Sequence, residues 1–566
     1  MSYVIKTMAD KKPLNKSSIY LGTWCFSKPC AGIGAAHDVF PFVWNDRSKY
    51  NLHGKIVSER RNKLFSYFID TLNCIHNLNQ SKRYWAIISQ KWFDDYLQIF
   101  YDRFYTIKQF INYNSLFEYR CLKPINFITP ISMWKHYTNL TSNDFENEQL
   151  YSQILNPNYL KYIKFDRIKY NNNFTTPNAK NSIKLYSMYQ AHPEDINAIK
   201  NKIGGLAEIV SFENEIERIY KCNILSYQRL SFENYLNTHN DEFEKLFFRS
   251  LVVNTPKVLI EGFNGFRRHI IENFEIPRIS VTTNDHICSF ISKLVMAESV
   301  NAGGKLIWGQ HGGNYKAFGL DLEHQHEYEN CDKYFSWGWA SENQEKYVNM
   351  PSLNASGIKH RCGNEKINLP LLYISSTGSK YSPGFRSHVI SSEFIKYSKM
   401  QVAFINKLSK DIRHKIVYRP HLNDGDMGIV DNVIRQNPNI NILKDGDIST
   451  AINQFRFIIL DRPDCSNFTN LLAINKPFIV FYDKKNYIYS ELSQIIFDQM
   501  ETIGLFHYNV ESAAEFVNKN YNNPEKWWFT EEVQILRKKY IKKFANNDKN
   551  YINIWSKQIL DEYYKN

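Results

Sequence analysis

No apolar run in the 566 residues reaches the roughly 18 that a membrane-spanning helix needs, so an integral membrane protein is excluded. The first residues, MSYVIKTMADKK, lack an apolar h-region, and no secretion signal is expected. Nine cysteines, an odd number with no C-x-x-C pair, read as reduced thiols in a cytosolic chain rather than as a disulfide framework. There is no G-x-x-x-x-G-K-[ST] loop and no G-x-S-x-G elbow, which excludes a P-loop NTPase and an α/β-hydrolase. Gly32-Ile33-Gly34 is too short for a dinucleotide fingerprint, and no period of 20–50 residues suggests a solenoid. Acidic residues are in deficit: 57 Asp and Glu face 70 Lys and Arg, a net charge of +13. That balance favours an acidic partner, whether nucleic acid, anionic membrane or a phosphorylated or carboxylated substrate. Nucleic acid has only charge behind it, because no binding motif is present. What the chain has in excess is aromatic side chains, 15% of the total, which call for large packed cores.

Along the chain, 18–25 (SIYLGTWC) and 84–89 (YWAIIS) read as short buried strands. Residues 63–79 and 93–112 carry helical spacing, and 140–245 is rich in Asn, Tyr and Lys and reads as mostly helical or irregular. From 256 onward strands alternate with helices: strands at 257–263, 277–283 and 305–308, with a helix at 286–300. A second series follows the polar stretch 340–368, with strands at 370–375, 415–418, 439–443, 456–460 and 477–482. Strand–helix–strand repetition predicts two parallel, doubly wound α/β lobes. The expected division is an N-terminal, acceptor-side lobe with added helices (1–360), a nucleotide-sugar-binding lobe (365–525) and C-terminal helices (526–566).

Ligands of open α/β sheets sit outside the carboxyl ends of the strands, so polar residues there are the candidates. Asp285, after the strand PRISV, is either a helix N-cap or a catalytic carboxylate acting as base or nucleophile. WGQHGGNY (308–315) follows a buried strand. Gly312 and Gly313 let backbone approach a ligand beside Gln310, and His311 either donates to an anion and shuttles protons or is a structural side chain in a tight turn. Arg419 and His421 in VYRPHL offer two donors to an anion. Arg462 ends another strand, and Ser466 and Thr469 open an apolar helix whose N-terminus suits a phosphate; Ser466 as a bare N-cap is the alternative. The D-G-D triplets at 424–426 and 445–447 are ordinary turn chemistry before they are metal ligands, and His324-Gln325-His326 lacks a third ligand nearby. The basic run Arg537, Lys538, Lys539, Lys542, Lys543 lies on a helix with Leu536, Tyr540 and Phe544, either a solvated face or an amphipathic contact with an anionic bilayer.

YLGTWC (20–25), RYWAII (83–88), WGQHGGNY, CDKYFSWGW (331–339) and the S-x-x-T…KPFIVF block resemble a family of transferases encoded in bacterial O-antigen and capsule clusters. In its C-terminal lobe that family is similar to GT-B enzymes using CMP-activated acidic sugars: sialyl-, Kdo- and pseudaminyltransferases. The resemblance implies a GT-B-like fold of two Rossmann-like lobes with extra helices, and a metal-independent, cofactor-free transfer of a nonulosonic acid. It places CMP on Arg419, His421, Ser466 and Thr469, and the strand-end Arg462 converges on the same place as a donor to the phosphate. Their His-Pro motif appears here as Arg419-Pro420-His421, with the order of His and Pro reversed. The implied acceptor is a lipid-linked or oligosaccharide intermediate, met in the cytoplasm or at the inner face of the cytoplasmic membrane. A UDP-sugar enzyme such as a 2-epimerase, and a polysaccharide- or membrane-binding scaffold, are the alternatives.

Overall fold

The computed structural model describes the chain except residues 1, 11–16, 34–36, 115, 168–177, 189–190, 213–224, 238–239, 285–288, 314, 320–321, 323, 342–343, 362–368, 423–424, 447 and 566. Three parallel sheets organise it. The first is small: β1 (Ser2–Ile5), β2 (Ser18–Tyr20), β3 (Asp38–Val39) and β4 (Phe117–Glu118), in the order β3-β2-β1-β4. Strand β2 stops at Tyr20, and Thr23–Cys25 is a 3-10 turn, so the strand expected over 18–25 is cut short. Gly22 lies under the Trp24 ring, where a Cβ would come within 2.4 Å of ring carbons.

The second sheet contains β5 (Lys180–Leu185), β6 (Ala207–Ile209), β7 (Pro277–Thr282), β8 (Lys305–Gly309), β9 (Lys333–Ser336) and β10 (Tyr347–Asn349), in the order β10-β9-β8-β7-β5-β6. The third contains β11 (Leu369–Ile374), β12 (Ile416–Arg419), β13 (Asn441–Ile442), β14 (Phe455–Leu460), β15 (Phe478–Phe481) and β16 (Phe506–His507), in the order β13-β12-β11-β14-β15-β16. Counted within each sheet these orders are 2-1-3-4-5-6 and 3-2-1-4-5-6, the two doubly wound arrangements of nucleotide-binding folds. Strand order reverses between β5 and β7 in one sheet and between β11 and β14 in the other.

Several expected elements change. YWAIIS is the start of a 32-residue helix, Lys82–Tyr113, capped by Ser81, whose hydroxyl accepts from the Tyr84 amide. Every residue from 84 to 103 is buried, so the helix has no polar face to show a 3.6-residue period, and a short apolar run reads equally as a strand. Its polar side chains are paired: Lys91 with Asp95 at 2.6 Å, Arg61 with Asp94 at 2.8 Å, and Tyr84 donating to Glu298 at 2.5 Å. KVLIEGF is a 3-10 turn (Lys257–Leu259) leading to the helix Phe263–Asn273; the amides of Lys257 and Val258 bond to the carbonyls of Pro130 and Ile131, outside any sheet. The 140–245 region supplies β5 and β6, so the second sheet starts at 180, not 256. The 340–368 stretch holds β10 and the helix Leu353–Arg361 rather than a plain linker.

The chain ends by crossing back. Helix Glu531–Phe544 buries Val533, Leu536, Tyr540 and Phe544 in the core of the third sheet. Helix Tyr551–Tyr564 then packs Trp555 and Ile559 against Ile183, Val281 and Ile307 of the second. Two Rossmann-like lobes, a helical N-terminal elaboration and returning C-terminal helices make this a GT-B-like α/β fold.

Candidate functional site

The reversal between β11 and β14 opens a crevice at their carboxyl ends. Strand β14 delivers Asp461, 4% exposed, into it. Oδ2 of Asp461 accepts from the Tyr397 hydroxyl (2.7 Å) and from Nε2 of Gln401 (2.8 Å), both on the helix Phe394–Lys407. Gln401 also donates to Ser375 Oγ, and Tyr397 Oη accepts from the Ser376 amide. Burial pushes the Asp461 pKa up to about 6, against the hydrogen bonds of Tyr397 and Gln401, which lower it. Arg462 follows. Its Nε donates to Asp464 Oδ1 at 2.6 Å, Nη2 donates to the other carboxylate oxygen, and Nη1 reaches Ser376 Oγ at 2.8 Å. The guanidinium thus bridges the ends of β11 and β14. Burial works against its charge and Asp464 outweighs that, so its pKa is raised. A cleft of about 600 Å³ opens beside this network, lined by Arg47, Lys396, Tyr397, Gln401, Asp461 and Asp483 among others.

Helix Ser466–Ile474 starts next to Arg462. Its N-cap is Cys465, which makes no side-chain capping bond, so Ser466 is the first helical residue and not the cap. Thr469, 1% exposed, spends its hydroxyl proton on the Ser466 carbonyl at 2.9 Å.

The second sheet reaches this place through the loop after β8. Gln310, 2% exposed, holds the loop: Nε2 donates to the Gly312 carbonyl (2.6 Å), and Oε1 accepts from the Trp337 amide (3.0 Å) and the Trp339 indole (2.7 Å). WGQHGG and SWGW are therefore one braced unit. Gly313 then lies directly on Thr469; a Cβ there would stand 2.3 Å from Cγ2, 2.6 Å from Oγ1 and 3.0 Å from Cβ. Further along, the Lys316 and Ala317 carbonyls accept from Ser490 and Ser493, and Phe318 bridges to Tyr489. The loop is tethered to both sheets.

His311 sits in it with a defined tautomer. Tyr315 donates its one proton to Glu327 Oε1 (3.0 Å), and Glu327, fully buried, also accepts from Tyr334 (2.9 Å). The Tyr315 oxygen, 2.6 Å from His311 Nδ1, is left as acceptor, so Nδ1 carries the hydrogen of that bond. His324 stacks on Tyr315 at 3.7 Å between centroids. Among the described residues no group of three His, Cys, Asp or Glu stands ready to hold a metal ion.

Of the other candidates, Arg419 is buried and donates to the carbonyls of Asp445 (3.1 Å) and Gly446, closing the second D-G-D turn. His421 is exposed. Asp285 lies outside the described residues. The helix described after it starts at Phe290 and is capped by Ser289, whose Oγ accepts from the Ser292 amide. The sequence reading assigned no role to Asp461, although it ends a strand beside Arg462, or to Tyr315 in WGQHGGNY, and it left the Ser-Ser-Thr-Gly-Ser loop (375–379), Tyr397, Gln401 and Glu327 unmarked. Hydroxyls and a glycine straight after the first strand of a lobe were the available signal for the loop.

A UDP-GlcNAc 2-epimerase from Neisseria meningitidis, solved with UDP-GlcNAc, is similar over 68% of this chain and 100% of its own, at 12% identity and a TM-score of 0.37. WaaG, a glycosyltransferase involved in lipopolysaccharide biosynthesis, is similar over 68% of this chain and 100% of its own, at 9% identity and a TM-score of 0.28. No curated protein matches the chain in sequence. A family model described as LIC12162 family transferase matches residues 1–559 of the 566, and the chain belongs to that family.

Proposed function

We propose that this transferase is a glycosyltransferase moving a nonulosonic acid, pseudaminic acid or a relative, from a CMP-activated donor to a lipid-linked or oligosaccharide acceptor in capsule or O-antigen assembly. The observation that carries the reading is the contact of Gly313 with Thr469. It sets the His311 loop of one doubly wound sheet on the first turn of the helix that leaves the reversal point of the other. Acid–base chemistry and an anion-holding helix start therefore meet between the lobes.

In this reading CMP lies along Arg419, His421, Arg462, Ser466 and Thr469, with neither metal nor dissociable cofactor. Gln310, Gly312 and Gly313 shape the sugar and acceptor side. The acceptor hydroxyl oxygen bonds to the anomeric carbon as the bond from that carbon to the phosphate oxygen breaks, its electron pair leaving with CMP. Fixed donors at Arg462 and the helix start stabilise the charge gathering on the phosphate. His311 Nε2 takes the proton lost by the acceptor. Asp285 is the second candidate base, or the nucleophile if configuration is retained. The enzyme works in the cytoplasm or at the inner face of the cytoplasmic membrane.

Thermal-shift titration with CMP, UDP and GDP tests this. CMP is expected to stabilise the protein selectively, and Arg462→Ala to weaken CMP binding by about 1–3 kcal/mol, the scale of hydrogen bonds to a charged group. Selective stabilisation by UDP replaces the donor assignment with a UDP-sugar enzyme, and indifference to all three replaces it with a scaffold.

A further inference from the structure

A second surface lies far along the chain from these residues, and it is built from side chains that water does not favour. The segment after β4 runs through a one-turn 3-10 helix, Pro124–Asn126, that lifts Ile125 to 82% exposure. Tyr162, at the end of the 3-10 turn Tyr159–Tyr162, is 58% exposed, and Ile128 is 48% exposed. The two turns are neighbours: Phe127 packs on Tyr159 with centroids 5.4 Å apart. A crevice of about 310 Å³ between them is lined by Pro124, Ile125, Phe127, Tyr162, Ile163 and Lys164, with Asp166 as its one acid.

This protrusion is held rigidly. Gln149, 2% exposed, accepts from the Ile128 amide (2.7 Å), donates to the Ile128 carbonyl (3.0 Å) and is anchored to Asn254 (2.9 Å). A buried amide is thus committed to fixing the backbone of a segment whose apolar side chains point outward, which a disordered surface loop does not require. The charge flanking the patch is mostly positive, with Asp166 the acid in the crevice lining. Arg120, Lys123, Lys161 and Lys164 are exposed, and none forms an ion pair among the described residues. Isoleucine and aromatic rings rimmed by Lys and Arg match the layering of a bilayer interface, with acyl chains inside and anionic headgroups around them.

We propose that the patch formed by Ile125, Ile128 and Tyr162, with its rim of Arg120, Lys123, Lys161 and Lys164, docks the protein on an anionic lipid bilayer. The surface replaces the basic helix Glu531–Phe544 as the wedge. That helix has its apolar face in the core, and only Lys538, Lys539 and Lys542 of its basic run are fully turned to solvent. The inference does not depend on the donor assignment.

Co-sedimentation of the full chain with vesicles of phosphatidylcholine alone and of phosphatidylcholine mixed with phosphatidylglycerol, whose anionic headgroups give the surface a negative potential, tests it. The protein is expected to bind the anionic vesicles selectively. Ile125→Asp with Tyr162→Asp is expected to cut binding about tenfold or more without moving the melting temperature, since both side chains are exposed. Lys123→Glu, Lys161→Glu and Lys164→Glu together supply an independent variant, expected to cost about fivefold per charge removed, as for a lysine at an anionic surface. Absence of binding by the unaltered chain overturns the proposal. So does binding that survives both variants, or that is lost instead with Lys538→Glu, Lys539→Glu and Lys542→Glu. Light scattering supplies the last arm: self-association of the unaltered chain that Ile125→Asp abolishes would make the patch a contact between copies and overturn lipid docking.

Discussion

At the scale of single residues, Asp461 is the side chain whose chemistry departs furthest from what its position in the sequence suggests. A strand-end aspartate beside an arginine invites an ion pair, yet Arg462 turns to Asp464 and Ser376, and Asp461 is left with Tyr397 and Gln401. Its folded pKa of about 6 lies above the 3.8 of an unperturbed aspartate because burial penalises the carboxylate. The folded state therefore holds the proton more tightly than the unfolded chain between pH 3.8 and about 6. The stability this contributes is present below pH 3.8 and lost as pH rises through 6. Glu148 and Glu393, with pKa values raised by burial to about 7, and His76, lowered by burial to about 4, titrate in overlapping ranges, so the whole-protein curve mixes them. The difference between the unaltered chain and Asp461→Asn isolates the one group. Asparagine keeps an acceptor for Tyr397 and Gln401, and its stability relative to the aspartate is expected to rise by about 3 kcal/mol between pH 4 and 7, measured by urea unfolding. A flat difference would mean the carboxyl is solvated after all.

At the scale of elements, the strands of the third sheet were readable because each is a short apolar run bounded by turn residues; β11, β12, β14 and β15 lie where the pattern puts them. The helix Lys82–Tyr113 was legible over 93–112 but not at its start, because full burial erases the periodicity at YWAIIS. Strands β5 and β6 were hidden by their Asn- and Lys-rich setting, where only Ile183 and Leu185 of β5 and Ala207 of β6 are buried. The site divides the same way. WGQHGG stood out through its glycines, but His311 is held by Tyr315 and through it by Glu327, which lies 16 residues away on the helix Gln325–Asn330. No local pattern marks such a partner. One glycine outside that motif also ties two elements together. Gly338, at φ +117, lies beneath the last turn of the helix Glu531–Phe544, where a Cβ would come 2.3 Å from the Lys542 carbonyl oxygen. Neither the dihedral nor a backbone oxygen yields easily. Gly338→Ala is therefore expected to cost about 2–4 kcal/mol, strain and overpacking combined. Urea unfolding would measure the loss, and limited proteolysis should find the 545–550 connection opened; a silent variant would show that this helix end is already loose.

At the scale of the whole molecule, one of the points where the two doubly wound sheets meet is Gly313 on Thr469. Thr469 sits inside a helix, and its β-branched side chain is stiff there, held further by its bond to the Ser466 carbonyl. Rotation about χ1 offers no escape from an added methyl, because the Thr469 Cβ is itself 3.0 Å from the position of that methyl. The loop cannot simply step back either. Gln310 pins one end to Trp337 and Trp339, and Ser490 and Ser493 hold Lys316 and Ala317 at the other. Gly313→Ala must therefore move one sheet relative to the other or break a tether. The expected cost is about 1–3 kcal/mol of stability, typical of overpacking. If that cost arises at the contact, Thr469→Ala, which removes the two nearest atoms, should recover most of it in the double variant, a coupling of about 0.5–3 kcal/mol for residues in contact. Thr469→Ala alone loses one methyl, one hydroxyl and a local back-bond, so its own effect is small enough for the cycle to be read. Additive losses would place the strain elsewhere in the loop and remove the direct mechanical link between the His311 loop and the Ser466–Thr469 turn on which the two-lobed site depends.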